Sequence, residues 1–186
     1  NGVPGVPQAQ AALRMLGNAL RVARTALQHN SAAKVIFEHP VGRGSGSQFA
    51  IKDRENHSPV WDTDLMQAFA TEFGMHMVVF DQCRTNADTQ KTTQLMCSSS
   101  VAEAVRSRLG HLMCNHAAGT HAPIVGEKVQ RADGTTGYKT KLAQQFTGEL
   151  NATIAEALLA PPSEGGWLHA VGAVVSAYTN SAVQRV

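Results

Sequence analysis

The chain has 186 residues, enough for one domain of ordinary size. Apolar residues make up 43% and charged residues 16%, which excludes wholesale disorder. A net charge of +2 provides no concentrated basic face for phosphate neutralisation, and 5% aromatics argues against a base-stacking platform.

Residues 1–10 are rich in Gly, Pro and Gln and are expected to be flexible. They lack the basic-then-apolar order of a signal peptide and do not begin with Met, so a piece of a longer product is expected. From Ala11 to His29, Leu13, Leu16, Leu20, Ala23 and Leu27 step by three or four residues and predict an amphipathic helix. Lys34-Val35-Ile36-Phe37 then predicts a strand covered on both faces, ending at Glu38-His39-Pro40 because Pro cannot continue a central ladder. Gly42 to Ser47 opens a long polar connection that reaches Asp64, the expected cap of a helix from Leu65 to Phe73.

Met75 to Phe80 predicts a second buried strand, closing at Asp81-Gln82-Cys83. After a polar loop, Lys91 to Cys97 predicts a third, and Ser98 to Ser100 offer caps for a helix from Val101 to Leu109. Gly110 to Gly126 reads as a loop. Leu142, Phe146, Leu150, Ile154 and Leu158 recur every fourth residue and predict a helix from Lys139 to Ala160, stopped by Pro161-Pro162. No run approaches the roughly 20 apolar residues needed to cross a bilayer. Ala170 to Tyr178 is expected to be a buried element or an interface, and no membrane partner is expected.

The expected fold class is therefore α/β: part of a doubly wound, Rossmann-like sheet with flanking helices, its last two strands forming an antiparallel edge hairpin. The expected organisation is a flexible segment 1–10, an α/β half-domain 11–126, a linker and helix 127–160, and a tail 161–186. Three cysteines, Cys83, Cys97 and Cys114, leave an odd thiol and favour a reducing, intracellular compartment, cytoplasm or nucleus.

Glu38-His39-Pro40 at a strand end, Asp81-Gln82-Cys83 at the next and Lys91-Thr92-Thr93 opening a third occur in an order that resembles the carboxy-terminal half of proteins related to cytosine-5 DNA methyltransferases. The likeness is to small phage-type members and to copies inside mobile-element polyproteins, and spans roughly Ala11 to Ala160. It implies that Glu38 is the relic of a carboxyl that hydrogen-bonds a flipped cytosine. It also implies that His39, Pro40, Arg43, Asp81, Gln82 and Lys91 lie on the substrate side, with DNA as partner. This chain departs from the family at His39 and at Thr85-Asn86, where an Asn and an aromatic-Gly pair are usual. It has no Gly-rich turn for S-adenosylmethionine and no Pro-Cys loop to supply a nucleophilic thiolate. The resemblance thus implies a degenerate module without cofactor or activity of its own, which would use S-adenosylmethionine only if a complementary amino-terminal half were supplied.

Read from the residues alone, Glu38 is equally a turn carboxylate accepting backbone N–H bonds, and Asp81 with Lys91 a structural charge pair. The Gly-rich loop carrying Arg43 reads as a linker, with contact of Arg43 and Lys52 to a phosphate backbone as the other reading. His111, Cys114, His116 and His121 form a possible zinc set, with Cys83 and Cys97 within reach in space. No Cys-x-x-Cys pair occurs, however, and Cys114-x-His116 spaces two ligands awkwardly, so the expectation is no metal: small buried cysteines and histidines decorating a loop. Two further readings follow: a zinc-stabilised protein-interaction module, and a globular domain that docks through the Leu13–Leu27 helix or the Ala170–Tyr178 segment.

Overall fold

The computed structural model describes residues 7–41, 60–121, 128–130, 134, 136–138, 146–161 and 173–176. Helix α1 (Pro7–His29) precedes strand β1 (Val35–Pro40), helix α2 (Asp64–Glu72), strand β2 (His76–Asp81) and strand β3 (Thr92–Cys97). Helix α3 (Ser99–Leu109), a hairpin of β4 (Lys128–Gln130) and β5 (Thr136–Tyr138), helix α4 (Gly148–Leu159) and strand β6 (Ala173–Ser176) complete it. The small hairpin falls in the expected linker, ahead of the expected helix. Arg43, Lys52, Leu142 and residues 122–126 of the expected loop lie outside the described residues.

The main sheet has the order β2-β3-β1-β6. β3 runs antiparallel to both β1 and β2, while β6 runs parallel to β1. The expected edge hairpin is therefore present as β2–β3. The two strands that flank α2, β1 and β2, run in the same direction, with β3 lying between them. The architecture is mixed α/β, with three antiparallel strands, one parallel strand and flanking helices.

Alternation along β1 explains why its run is apolar on consecutive residues. Ile36 joins Val78, Phe80, Leu95 and Cys97 in a core covered by α3 (Val101, Val105, Leu109) and α4 (Leu150, Ile154, Leu158). Val35 and Phe37 face the other way, onto α1 (Leu16, Leu20, Ala23, Leu27) and α2 (Met66, Phe69). Phe69 is fully buried, edge-on to Phe37 with ring centroids 5.7 Å apart. Burying a side chain of this size contributes roughly 1.5–3 kcal/mol.

Four local expectations shift. Helix α1 begins at Pro7, inside the segment expected to be flexible, with Pro at the first helical position where its missing N–H costs nothing. The cap of α2 is Thr63, whose Oγ1 accepts the Met66 N–H, rather than Asp64. Helix α4 begins at Gly148 behind the cap Thr147, so Phe146 precedes the helix. Pro40 stays in the ladder, paired with Thr93. The next N–H, that of Val41, points to Thr92 O, so the nitrogen of Pro40 faces the β6 side, beyond the last β1–β6 pair at Glu38.

Ser98 precedes α3 but leaves its helix end uncapped by a side chain. Its Oγ instead accepts the Val35 N–H and donates to Ala33 O, stitching α3 to the start of β1.

Candidate metal centre

Two groups of polar side chains gather at the ends of the strands. The first lies at the end of the β2 edge. After Asp81 the chain makes a short 3-10 turn, Gln82–Thr85, closed by Asn86 in the left-handed region at φ 64°. The turn places Cys83, 8% exposed, just past the strand. Leaving α3, the chain bends at Leu112, whose carbonyl accepts the Asp81 N–H at 2.9 Å along the outer edge of β2. Two residues later the Cys114 N–H donates to Asp81 Oδ2 at 2.8 Å. A tight turn from Ala117 to Thr120 then folds the chain back, with Gly119 at φ +85°, a conformation glycine adopts without strain.

The outcome is a four-residue cluster: one ligand atom each from Cys83, Cys114, His116 and His121, all within 4.8 Å of one another. Cys114 Sγ lies 3.5 Å from His116 Nδ1 and 3.1 Å from His121 Nε2. The two imidazoles stand nearly perpendicular, with centroids 4.9 Å apart. Tetrahedral zinc, with Zn–S near 2.3 Å and Zn–N near 2.0–2.1 Å, requires ligand atoms about 3.3–3.8 Å apart. The two sulfur–nitrogen separations fall at or just under that edge length. Four soft or borderline donors so placed fit a closed Cys2His2 site with no vacant position for substrate.

This set joins Cys83 to three of the four residues of the possible zinc set, Cys114, His116 and His121. Cys83 stands 31 positions before Cys114 and is brought to it by the β2–β3 hairpin and α3. His111 is exposed and is not part of the cluster. The Cys114-x-His116 spacing is no obstacle, because residues 112–117 form neither helix nor strand and are free to turn both donors inward. Cys97, by contrast, is fully buried in the α3/α4 core, and that burial pushes its thiol up to about 12. It is the small buried hydrophobe that the sequence suggests for all three cysteines. Burial, with the Cys114 sulfur alongside, pushes the Cys83 thiol up to about 12 as well, so binding must displace protons.

The second group contains the residues that the resemblance singled out, and the structure divides them. Glu38 pairs across the ladder with Leu95 and shares its face with Ile36, toward α3 and α4. Lys91 Nζ lies 3.4 Å from Glu38 Oε1 and 5.8 Å from the Phe146 ring centroid. Burial raises the Glu38 carboxyl above its ordinary range, an effect that the Lys91 ammonium partly offsets. Asp81 follows Phe80 and so takes the opposite face. There it accepts from Thr92 Oγ1 and from Cys114, so the expected Asp81–Lys91 pair is replaced by Glu38–Lys91.

Gln82 donates to Thr93 Oγ1 at 2.9 Å, and the Pro40 carbonyl accepts the Trp61 indole N–H at 2.9 Å. His39 stands edge-on to Trp61 at 6.1 Å, with Nδ1 3.2 Å from the Pro40 carbonyl oxygen. Each of these polar groups has a bonding partner within the chain. No helix among the described residues is long and apolar enough to cross a membrane. Comparisons with protein-family models, curated proteins and solved structures find no match.

Proposed function

We propose that this chain is a zinc-stabilised interaction module. A single Zn2+ held by Cys83, Cys114, His116 and His121 fixes the exposed loop 110–121 against the end of β2, so that the loop is presented to a partner protein as a rigid surface. The carrying observation is the convergence of those four donors, from two distant parts of the chain, within 4.8 Å. Two sulfurs and two ring nitrogens so grouped, with two of their separations at 3.1 and 3.5 Å, are the donor set that zinc takes. Because all four positions are filled by protein, the ion's role is structural rather than catalytic.

The test is metal content. The full chain, purified without chelator, should carry about one equivalent of zinc, and cobalt substitution should give the intense visible bands of a tetrahedral thiolate site. Cys114→Ser and His121→Ala should lose the metal, whereas Cys97→Ser should retain it. A metal-free chain that also fails to take up cobalt would overturn the reading.

A second reading is favoured by one observation, the Glu38–Lys91 pair at the carboxyl end of β1. That position is where open α/β sheets place ligands. It suits a degenerate methyltransferase-like module in which the lysine neutralises a former base-contacting carboxylate. Titration with S-adenosylmethionine and with cytosine-containing DNA tests it: no cofactor binding with retained DNA binding supports it, and binding of neither removes it.

A further inference from the structure

We infer that Cys83 and Cys114 form a redox switch on the metal centre: an oxidant of the peroxide class joins the two sulfurs as a disulfide and expels the zinc. The inference rests on the zinc reading above and extends it to regulation. Both sulfurs belong to the same four-donor cluster and lie within 4.8 Å of each other. They are unequal in exposure. Cys114 is partly exposed on a loop, between exposed neighbours Met113 and Asn115 or His116, whereas Cys83 is buried beneath it at 8%. A small oxidant therefore meets Cys114 first, and Cys83 is placed as the resolving thiol.

The chemistry balances. The Cys114 thiolate attacks one peroxide oxygen, the O–O bond breaks, and the departing oxygen takes a proton as water, which leaves a sulfenic acid that no longer holds zinc. The Cys83 sulfur then attacks the Cys114 sulfur, the S–O bond breaks, and a second water leaves with a second proton. Two sulfurs have together lost two electrons, one peroxide has become two waters, and Zn2+ departs because a disulfide is a poor ligand. A dithiol reductant reverses the step, and zinc rebinds. The new bond keeps Cys114 near the β2 end but leaves His116 and His121 without their common partner. The stretch from residue 115 to 121 is thereby released, while the Leu112–Asp81 attachment stays.

The experiment uses the full zinc-loaded chain, treated with hydrogen peroxide and followed by a chromogenic zinc indicator, thiol counting and peptide mapping. Zinc release should keep step with loss of two thiols, a Cys83–Cys114 linked peptide should appear, and Cys97 should remain a free thiol. Dithiothreitol with added zinc should restore the starting state, and Cys97→Ser should behave like the parent. Zinc that stays bound under peroxide, or that leaves with Cys114 as sulfinic acid and no linked peptide, overturns the switch while the metal site stands. A chain that carries no zinc before peroxide is added overturns both.

Discussion

Asp81 holds Cys114 by the main chain: its Oδ2 accepts the Cys114 N–H at 2.8 Å, across 33 positions of sequence. Its other oxygen accepts from Thr92 Oγ1, and its own N–H donates to Leu112 O. One buried aspartate thus ties β2, β3 and the loop that carries Cys114 together.

Asp81→Ala should accordingly weaken both fold and metal site. Removing the carboxylate strands a part-buried N–H and a buried hydroxyl, a loss of about 1–3 kcal/mol in stability. Outer partners of metal ligands typically carry about 10–100-fold in affinity. Chemical denaturation and competitive zinc titration should show both effects. Unchanged zinc affinity would mean that the four donors position themselves without help from the strand.

Metal removal should be felt unevenly. The Cys83 turn also supports α4: Thr147, the cap of that helix, donates to Thr85 O, and Asn86 donates to Glu149. Chelation should therefore speed amide exchange in residues 110–121 and in the first turn of α4. The α1/α2 core around Leu20 and Phe69 includes none of the four donors among the described residues and should keep its protection. Uniform deprotection of the whole chain would falsify this division and make the ion a requirement for global folding.

The elements were legible in sequence because their patterns are local. Leu16, Leu20, Ala23 and Leu27 declare a helix face, and Ile36 with Phe37 declares a strand buried on two sides. What could not be read is which distant segments meet. The insertion of β3 between β1 and β2 decides that Glu38 and Asp81 face opposite sides, and sequence order carries no signal of it. The same hairpin brings Cys83 to Cys114. The available signal was a cysteine just beyond a strand end, followed by a second thiol and two histidines in one loop.

Glu38 should set part of the pH dependence of stability. Its carboxyl is raised by burial, so the folded chain binds this proton more tightly than the unfolded chain. Stability from this group is complete in acid and declines as pH rises from about 4.3 through the folded value. Glu38→Gln should remove that decline. Lys91→Met should steepen it, because the ammonium that offsets burial is gone. Unfolding free energies measured from pH 4 to 8 decide the matter. Parallel curves for the parent and both variants would show that Glu38 is as well solvated folded as unfolded.

Lys34 makes the most demanding case, because a buried ammonium is costly unless its donors are used. It is 4% exposed, and that burial lowers its affinity for the proton. Its Nζ donates to Leu158 O at 2.8 Å and to Ala160 O, which are among the carbonyls that the end of α4 leaves without a helical partner. The charge also meets the negative end of the helix dipole. The lysine therefore fastens α4 to the start of β1 at the end opposite Thr147. Lys34→Met keeps the packing of the stem but strands both carbonyls, at a cost of about 1–3 kcal/mol. The urea midpoint should fall with little change in slope, and exchange should quicken in the last turn of α4 without loss of zinc. A midpoint that does not move would show that water replaces the ammonium at those carbonyls, and that α4 is held by Leu150, Ile154 and Leu158 alone.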